Sequence, residues 1–339
     1  MSLNTIWYVL FGVLITGYAL LDGFDLGVGV LHLFLPRDDT ERRVLLNAIG
    51  PVWDGNEVWL LTGGGALFAA FPMVYATVFS GFYLALMLVL FALIGRAVSL
   101  EFRSKLDSPG WRRCWDNVFG VGSLLPALLF GVAVGNILQG VPVDAAGNYT
   151  GTFFTLLRPY PLVVGLLGLA MFLVHGVLYL RLKTDGDLAG RLESLAPRLW
   201  MADTVLLVLA TLLTFFFAPR LMDGVFGRPL FWLCFLVMLA GVVLVPASLQ
   251  AGRHGRAFLA SCLSIAGRIG VAAVGLFPVL VPSTLGADFS LTAFNASSSQ
   301  ATLRTMLVIA LIGMPVVILY TAWIYTRFRG KVEIGEGSY

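Results

Sequence analysis

Nine apolar runs dominate the chain, over residues 6–33, 52–70, 73–97, 117–139, 160–181, 200–218, 229–249, 257–281 and 303–327. A run of about 20 apolar residues is long enough to cross the hydrocarbon core of a bilayer as a helix. In lipid, every backbone N–H and C=O must find a partner within the protein, and an α-helix does this inside a single segment. The runs therefore predict an all-α polytopic membrane protein with nine transmembrane helices. Only 12% of the 339 residues are charged, about half the share of a soluble domain, which is too little to cover a water-facing surface. No linker, strong repeat or low-complexity segment divides residues 1–339, which read as a single integral membrane domain. The first residues lack a basic leader and a small-residue cleavage site, so they read as the first span and not as a removed signal peptide.

Loop charge gives the orientation. Segments 34–51, 96–116, 181–199 and 250–256, with the tail from Arg327, hold seventeen Lys and Arg, whereas the alternate loops hold only Arg158, Arg220 and Arg228. By the positive-inside rule the N-terminus lies outside and the C-terminus in the cytoplasm, as an odd number of spans requires.

Two of the runs carry clusters of carboxylates, and the sixth holds Asp203 alone. GYALLDGFDLGVGVL places Asp22 and Asp25 in the inner half of the first span, and WDGNEVWLLTGGGALF opens the second with Asp54, Asn56 and Glu57. A carboxylate at membrane depth costs several kcal/mol unless it is paired, protonated or wetted, which makes it a functional candidate. Two readings compete: a proton relay, and structural hydrogen bonding between helices. For Asp54 and Glu57 the helix dipole offers a further structural account. Arg96 and Glu101, at the end of the third span, are expected at the cytoplasmic surface as a proton entrance or as plainly solvated charge. Arg268 falls midway along the eighth span, too deep to snorkel, and needs an internal counter-ion, with Asp25, Asp203 or a partner's carboxylate in reach.

Histidine is scarce. Of His32, His175 and His254, only His175 is placed as an axial haem ligand, and packing with a hydrogen bond to a neighbouring carbonyl is the favoured reading. A haem held by this chain alone would want a second ligand. Cys114, Cys234 and Cys262 show no metal or disulfide spacing, so no metal site is expected. There is no Walker loop and no HExxH, and no nucleic-acid partner is expected.

The strings DGFDLGVGVL, DTERRVLLNAIGPVWDGNEVWLLTGGGALFAAFPMVYA, EFRSK, GNILQGVP, FPVLVPSTLGADFSLTAFNASSSQATL and ILYTAWIY resemble subunit II of the cytochrome bd quinol oxidases, from about residue 10 to the C-terminus. The resemblance implies a respiratory complex that oxidises quinol and reduces dioxygen to water without pumping protons. It implies two four-helix bundles plus one peripheral helix, and the bacterial cytoplasmic (inner) membrane as the location. It puts haems b and d in a haem-bearing subunit I and no haem ligands on this chain, with a bound structural quinone in some members. It leaves room for a small single-span accessory subunit. It assigns a cytoplasmic proton pathway to Asp54 of WDGN and Asp25 of DGFD, with Glu57 beside them and Arg96 and Glu101 at the entrance. Asp22, Arg268 and His175 remain structural polar residues of the membrane interior. The residues leave Asp25 divided between proton transfer and assembly. A proton-coupled secondary transporter is the alternative of a different class, and its usual pair of matching interrupted segments is not evident.

Overall fold

A computed structural model describes residues 2–335. The chain enters at Ser2, whose hydroxyl accepts from the Thr5 amide at 3.3 Å and caps α1 (Leu3–Leu31). After the short amphipathic α2 (Asp39–Ile49) come α3 (Trp53–Ala70), α4 (Pro72–Gly81), α5 (Tyr83–Phe102), α6 (Pro109–Gln139), α7 (Pro159–Lys183), α8 (Gly186–Phe217), α9 (Pro229–Gln250) and α10 (His254–Leu276). A two-stranded antiparallel ribbon, β1 (Val279–Val281) with β2 (Leu291–Thr292), precedes α11 (Gln300–Arg327), which Ser299 caps through the Thr302 amide.

Among the described residues eight helices are long and apolar enough to cross a membrane: α1 and α5 to α11. The second predicted run forms α3, a helix of 18 residues, but Asp54, Asn56 and Glu57 in its first turns dilute its apolar character. The third run begins later than expected. Its first part, α4, has only 10 residues and reaches about 15 Å at 1.5 Å per residue. Thr77 and Ser80 turn their hydroxyls back onto the carbonyls of Met73 and Ala76, a pattern that bends helices. At Gly81 a Cβ would lie 2.6 Å from the Tyr149 side chain, and the chain breaks at Phe82 before α5. The eighth run stops at Leu276, because Pro278 forces the residue before it into extended backbone, and residues 279–281 join the ribbon.

The centre of the fold is the crossing of α1 and α7. A Cβ at Gly27 would lie 1.9 Å from the Phe172 carbonyl oxygen, and one at Gly176 would lie 2.7 Å from the Gly27 backbone. Only glycine allows this approach, the usual device for close packing in lipid, where apolar burial alone does not drive helices together. α7, α1 and α6 are the most buried helices, while α11 lies at the periphery with Leu303 as its one buried residue.

The two ends of the bundle differ in chemistry. At one end the basic loops meet: Arg37 pairs with Asp187, Arg191 with Glu41, Arg103 and Arg112 with Asp39, and Lys331 with Asp185. At the other end Arg220 donates to the Leu138 carbonyl at 2.9 Å and Arg228 to those of Val274 and Phe277 at 2.7 and 3.0 Å. These guanidinia satisfy carbonyls that helix C-termini leave free.

Candidate functional site

One carboxylate of α1 and one of α3 meet at a single cation, with a second α1 carboxylate buried beside them. Asp22 and Asp25 are three residues apart, so they share one face of α1, and both are completely buried. Arg96 enters from α5 and is also completely buried. Its guanidinium donates to Asp22 Oδ1 at 2.9 Å and to Glu57 Oε1 at 2.6 Å. Glu57 is the more accessible partner, its side chain 21% exposed. The expected surface position of Arg96 is therefore corrected: two carboxylates draw its guanidinium into the bundle, away from the solvated helix end.

Asp25 is held differently. Its Oδ2 accepts from Asn56 Nδ2 at 2.7 Å, and its Oδ1 is buried without a partner. The Asn56 amide also donates to the Leu21 carbonyl at 3.0 Å and accepts from the Tyr325 hydroxyl of α11 at 3.0 Å. Two hydrogen-bonded groups result, Asp22–Arg96–Glu57 and Asp25–Asn56–Tyr325, built by α1, α3, α5 and α11 and set side by side because Asp22 and Asp25 share one face of α1.

Asp54 stands one turn before Glu57 but is exposed, on a face of α3 that also exposes Val58, Leu61 and Phe68. Glu101, at the end of α5, is exposed as well. The structure therefore gathers Asp25, Glu57 and Arg96 with Asp22, and leaves Asp54 and Glu101 on the surface of the chain.

Arg268 finds Asp203. The two ends of its guanidinium fork meet both carboxylate oxygens, at 2.7 and 2.5 Å, joining α10 to α8. His175 lies on α7 with both ring nitrogens engaged, Nε2 donating to the Leu20 carbonyl at 2.9 Å and Nδ1 meeting Ser261 Oγ at 2.7 Å. The ring stacks on Phe258 and has no free nitrogen to offer a haem iron. Among the described residues no group of three or more His, Cys, Asp or Glu is arranged to hold a metal ion.

A second polar cluster, at the basic end, was not visible as one in the sequence. Asp116 accepts from Arg103 Nε at 2.6 Å and from His32 Nε2 at 2.7 Å. Burial holds the His32 imidazole below its ordinary range, against the opposing pull of Asp116. Its Nδ1 is buried without a partner, so a proton there would have no acceptor. The available signal was Asp116 at the start of an apolar helix, 13 residues after Arg103.

The family model of cytochrome bd terminal oxidase subunit II matches residues 3–328. The chain belongs to that family. It is 39% identical to cytochrome bd-I ubiquinol oxidase subunit 2 of Escherichia coli strain K12, covering 97% of this chain and 95% of that protein. It is 37% identical to cytochrome bd ubiquinol oxidase subunit 2 of Bacillus subtilis, covering 99% and 98%. Its fold matches the bd oxidase structure from Geobacillus thermodenitrificans with a TM-score of 0.81, over 97% of this chain and 99% of that one, at 16% identity. As a subunit II of this family, the chain is one component of a respiratory oxidoreductase whose complex carries haem and includes a subunit I. It is a multi-pass protein of the bacterial inner membrane.

Proposed function

We propose that this subunit takes protons from the cytoplasm through its buried carboxylate cluster and passes them towards the haems of subunit I, holding no haem itself. The observation that carries this reading is charge balance. Two carboxylates, Asp22 and Glu57, pair with one guanidinium, that of Arg96, and a third, Asp25, is buried one turn from Asp22 with no cation bonded to it. Uncompensated charge in a low-dielectric interior is strongly unfavourable, and like carboxylates at close range do not all ionise. A proton inside the cluster restores the balance, and a group that stores a proton at membrane depth is what a relay needs.

Asp54 fits the hand-off. An exposed carboxylate on a membrane helix faces lipid at high cost, or a partner. Subunit I against the open face of α3 would bury Asp54 within one turn of Glu57. In this arrangement α3 is the ninth span, α1, α3, α5 and α6 form one four-helix bundle, α7 to α10 form the other, and α11 is peripheral. The meeting of the basic loops at one end supports a cytoplasmic C-terminus and an outer N-terminus. Quinol, the substrate named for the relatives, is oxidised on the partner, and dioxygen reduced there to water consumes the delivered protons. If quinol protons leave outside while these enter from inside, a membrane potential forms without a pump. An apolar groove of about 460 Å³ between α1, α3 and α11, lined by Trp7, Trp59 and Met306 among others, offers room for a structural quinone.

The test is Asp54→Asn in the intact complex. The variant assembles with its full haem content and loses more than about tenfold of its oxygen-reduction rate, the scale of a lost proton-transfer group. Near-normal turnover removes Asp54 from the route.

A further inference from the structure

Asp25 has two oxygens in different surroundings, and the difference originates on another helix. The Leu21 carbonyl can only accept a hydrogen bond. Its contact with Asn56, at 3.0 Å, therefore fixes the amide nitrogen of Asn56 on that side. The same nitrogen donates its second hydrogen to Asp25 Oδ2 at 2.7 Å. The amide oxygen then points the opposite way and accepts from the Tyr325 hydroxyl at 3.0 Å. Asp25 Oδ2 is thus occupied by a donor, and only Oδ1, buried and without a partner, is left to carry a proton.

We infer that Tyr325 is a positioning residue for proton transfer: by holding the Asn56 amide in one orientation, it directs the proton of Asp25 to Oδ1. This rests on the relay reading given above and adds a residue to it. The Leu21 carbonyl keeps the amide nitrogen on its side, and the Tyr325 hydroxyl holds the amide oxygen from the other. Without the hydroxyl the amide oxygen loses its donor and the amide can tilt, which lengthens its contact with Asp25 Oδ2 and weakens the distinction between the two carboxyl oxygens. This end of α11 is also tied in by packing, since Ile324 and the Tyr325 ring lie against the core, the latter edge-on to Phe24, so the hydroxyl of Tyr325 can be removed while its ring stays in place. The charged and titratable groups around Asp25 are Asp22 on its own helix, Glu57 on α3, Arg96 on α5, Tyr179 on α7 and Tyr325 on α11. Tyr179 is committed to the Ala48 carbonyl at 3.0 Å, which leaves the Asn56 amide as the direct partner of Asp25.

The experiment uses the purified complex with Tyr325→Phe, Asn56→Ala, the double variant and Asp25→Asn. Haem content, oxygen-reduction rate and the infrared band of protonated carboxylic acid are recorded for each. Tyr325→Phe is expected to keep its haem and slow turnover by about two- to tenfold, the range one hydrogen bond's net free energy yields. It is also expected to shift a carboxylic band that Asp25→Asn abolishes. The double variant turns over no more slowly than Asn56→Ala alone, because Tyr325 acts through Asn56. Unchanged turnover and an unchanged band in Tyr325→Phe overturn the inference. So does additivity in the double variant, and so does loss of haem in Tyr325→Phe, which would make the hydroxyl a fastener of α11. Normal turnover in Asp25→Asn takes Asp25 out of the relay altogether, whereas a slow Asp25→Asn beside a silent Tyr325→Phe removes only the role of Tyr325.

Discussion

Replacing Arg96 by methionine removes the one cation of the cluster while keeping the length of an apolar side chain. The guanidinium makes two charge-assisted hydrogen bonds, to Asp22 at 2.9 Å and to Glu57 at 2.6 Å. At about 1.5–3 kcal/mol each, these sum to about 3–6 kcal/mol. Breaking a buried ion pair from one side costs about 3–5 kcal/mol, because the remaining charge is stranded. Asp22 has no solvent to turn to, while Glu57 keeps some, its side chain being 21% exposed. The lower part of the range, about 3–5 kcal/mol, is therefore expected. The assay is denaturant unfolding of the purified complex followed through haem absorbance. A triple variant, Arg96→Met with Asp22→Asn and Glu57→Gln, removes the stranded charges and should recover most of the loss. A penalty below about 1 kcal/mol for Arg96→Met would refute the reasoning, and so would a triple variant as unstable as the single one.

Three further outcomes follow from the geometry. Asp203→Ala strands Arg268 between α8 and α10 and should cost about 3–5 kcal/mol, whereas replacing both partners by leucine should cost far less; equal losses in thermal unfolding would contradict this. Gly27→Ala drives a methyl group into the Phe172 carbonyl, where the gap is 1.9 Å, and should prevent assembly or lower stability by about 1–3 kcal/mol or more, read as haem yield per purified complex. At His32, burial lowers the affinity of the imidazole for a proton in the folded chain, while the unfolded chain takes one below about pH 6.5. The unfolded state then binds more protons, so stability falls as the pH drops below that value, by at most about 1.4 kcal/mol per unit. His32→Gln should flatten this part of the midpoint-against-pH curve, and parallel curves for the two proteins would count against it.

Eight spanning helices and the acidic runs were legible because lipid imposes a one-dimensional rule on the sequence: long apolar runs, with any charge standing out. Asp22, Asp25 and Glu57 could be singled out for that reason, and so could Arg268. Their partners could not be named, because pairing is set by helix crossing and not by spacing. Asp203 was one of several counter-ions in reach of Arg268. Tyr325 lies 269 positions from Asn56 and looks like any interfacial aromatic near a helix end. The break between α4 and α5 was hidden for a different reason. Hydropathy runs smoothly across Phe82, and the back-bonded hydroxyls of Thr77 and Ser80 with the ring of Tyr149 at Gly81 are three-dimensional facts.

Asp22 and Asp25 illustrate what spacing leaves open. They sit on one face of one helix, one turn apart, and both are wholly buried, so no sequence argument ranks one above the other. Their partners differ in kind. Asp22 meets a full positive charge at 2.9 Å, and an ionised carboxylate satisfies that contact; neutralising it would strand part of the Arg96 charge. Each keeps one buried oxygen without a partner, but the partner of Asp25 is an uncharged amide at 2.7 Å, so it can be protonated without stranding an opposite charge. A relay group has to change charge without dismantling its surroundings, and an assembly group has to resist such a change. On that criterion the partners support Asp22 as the assembly residue and Asp25 as the relay residue. Asp22→Asn should then lose haem or stability first, and Asp25→Asn should keep its haem and lose turnover. The reverse pattern in haem content and oxygen-reduction rate would overturn the division.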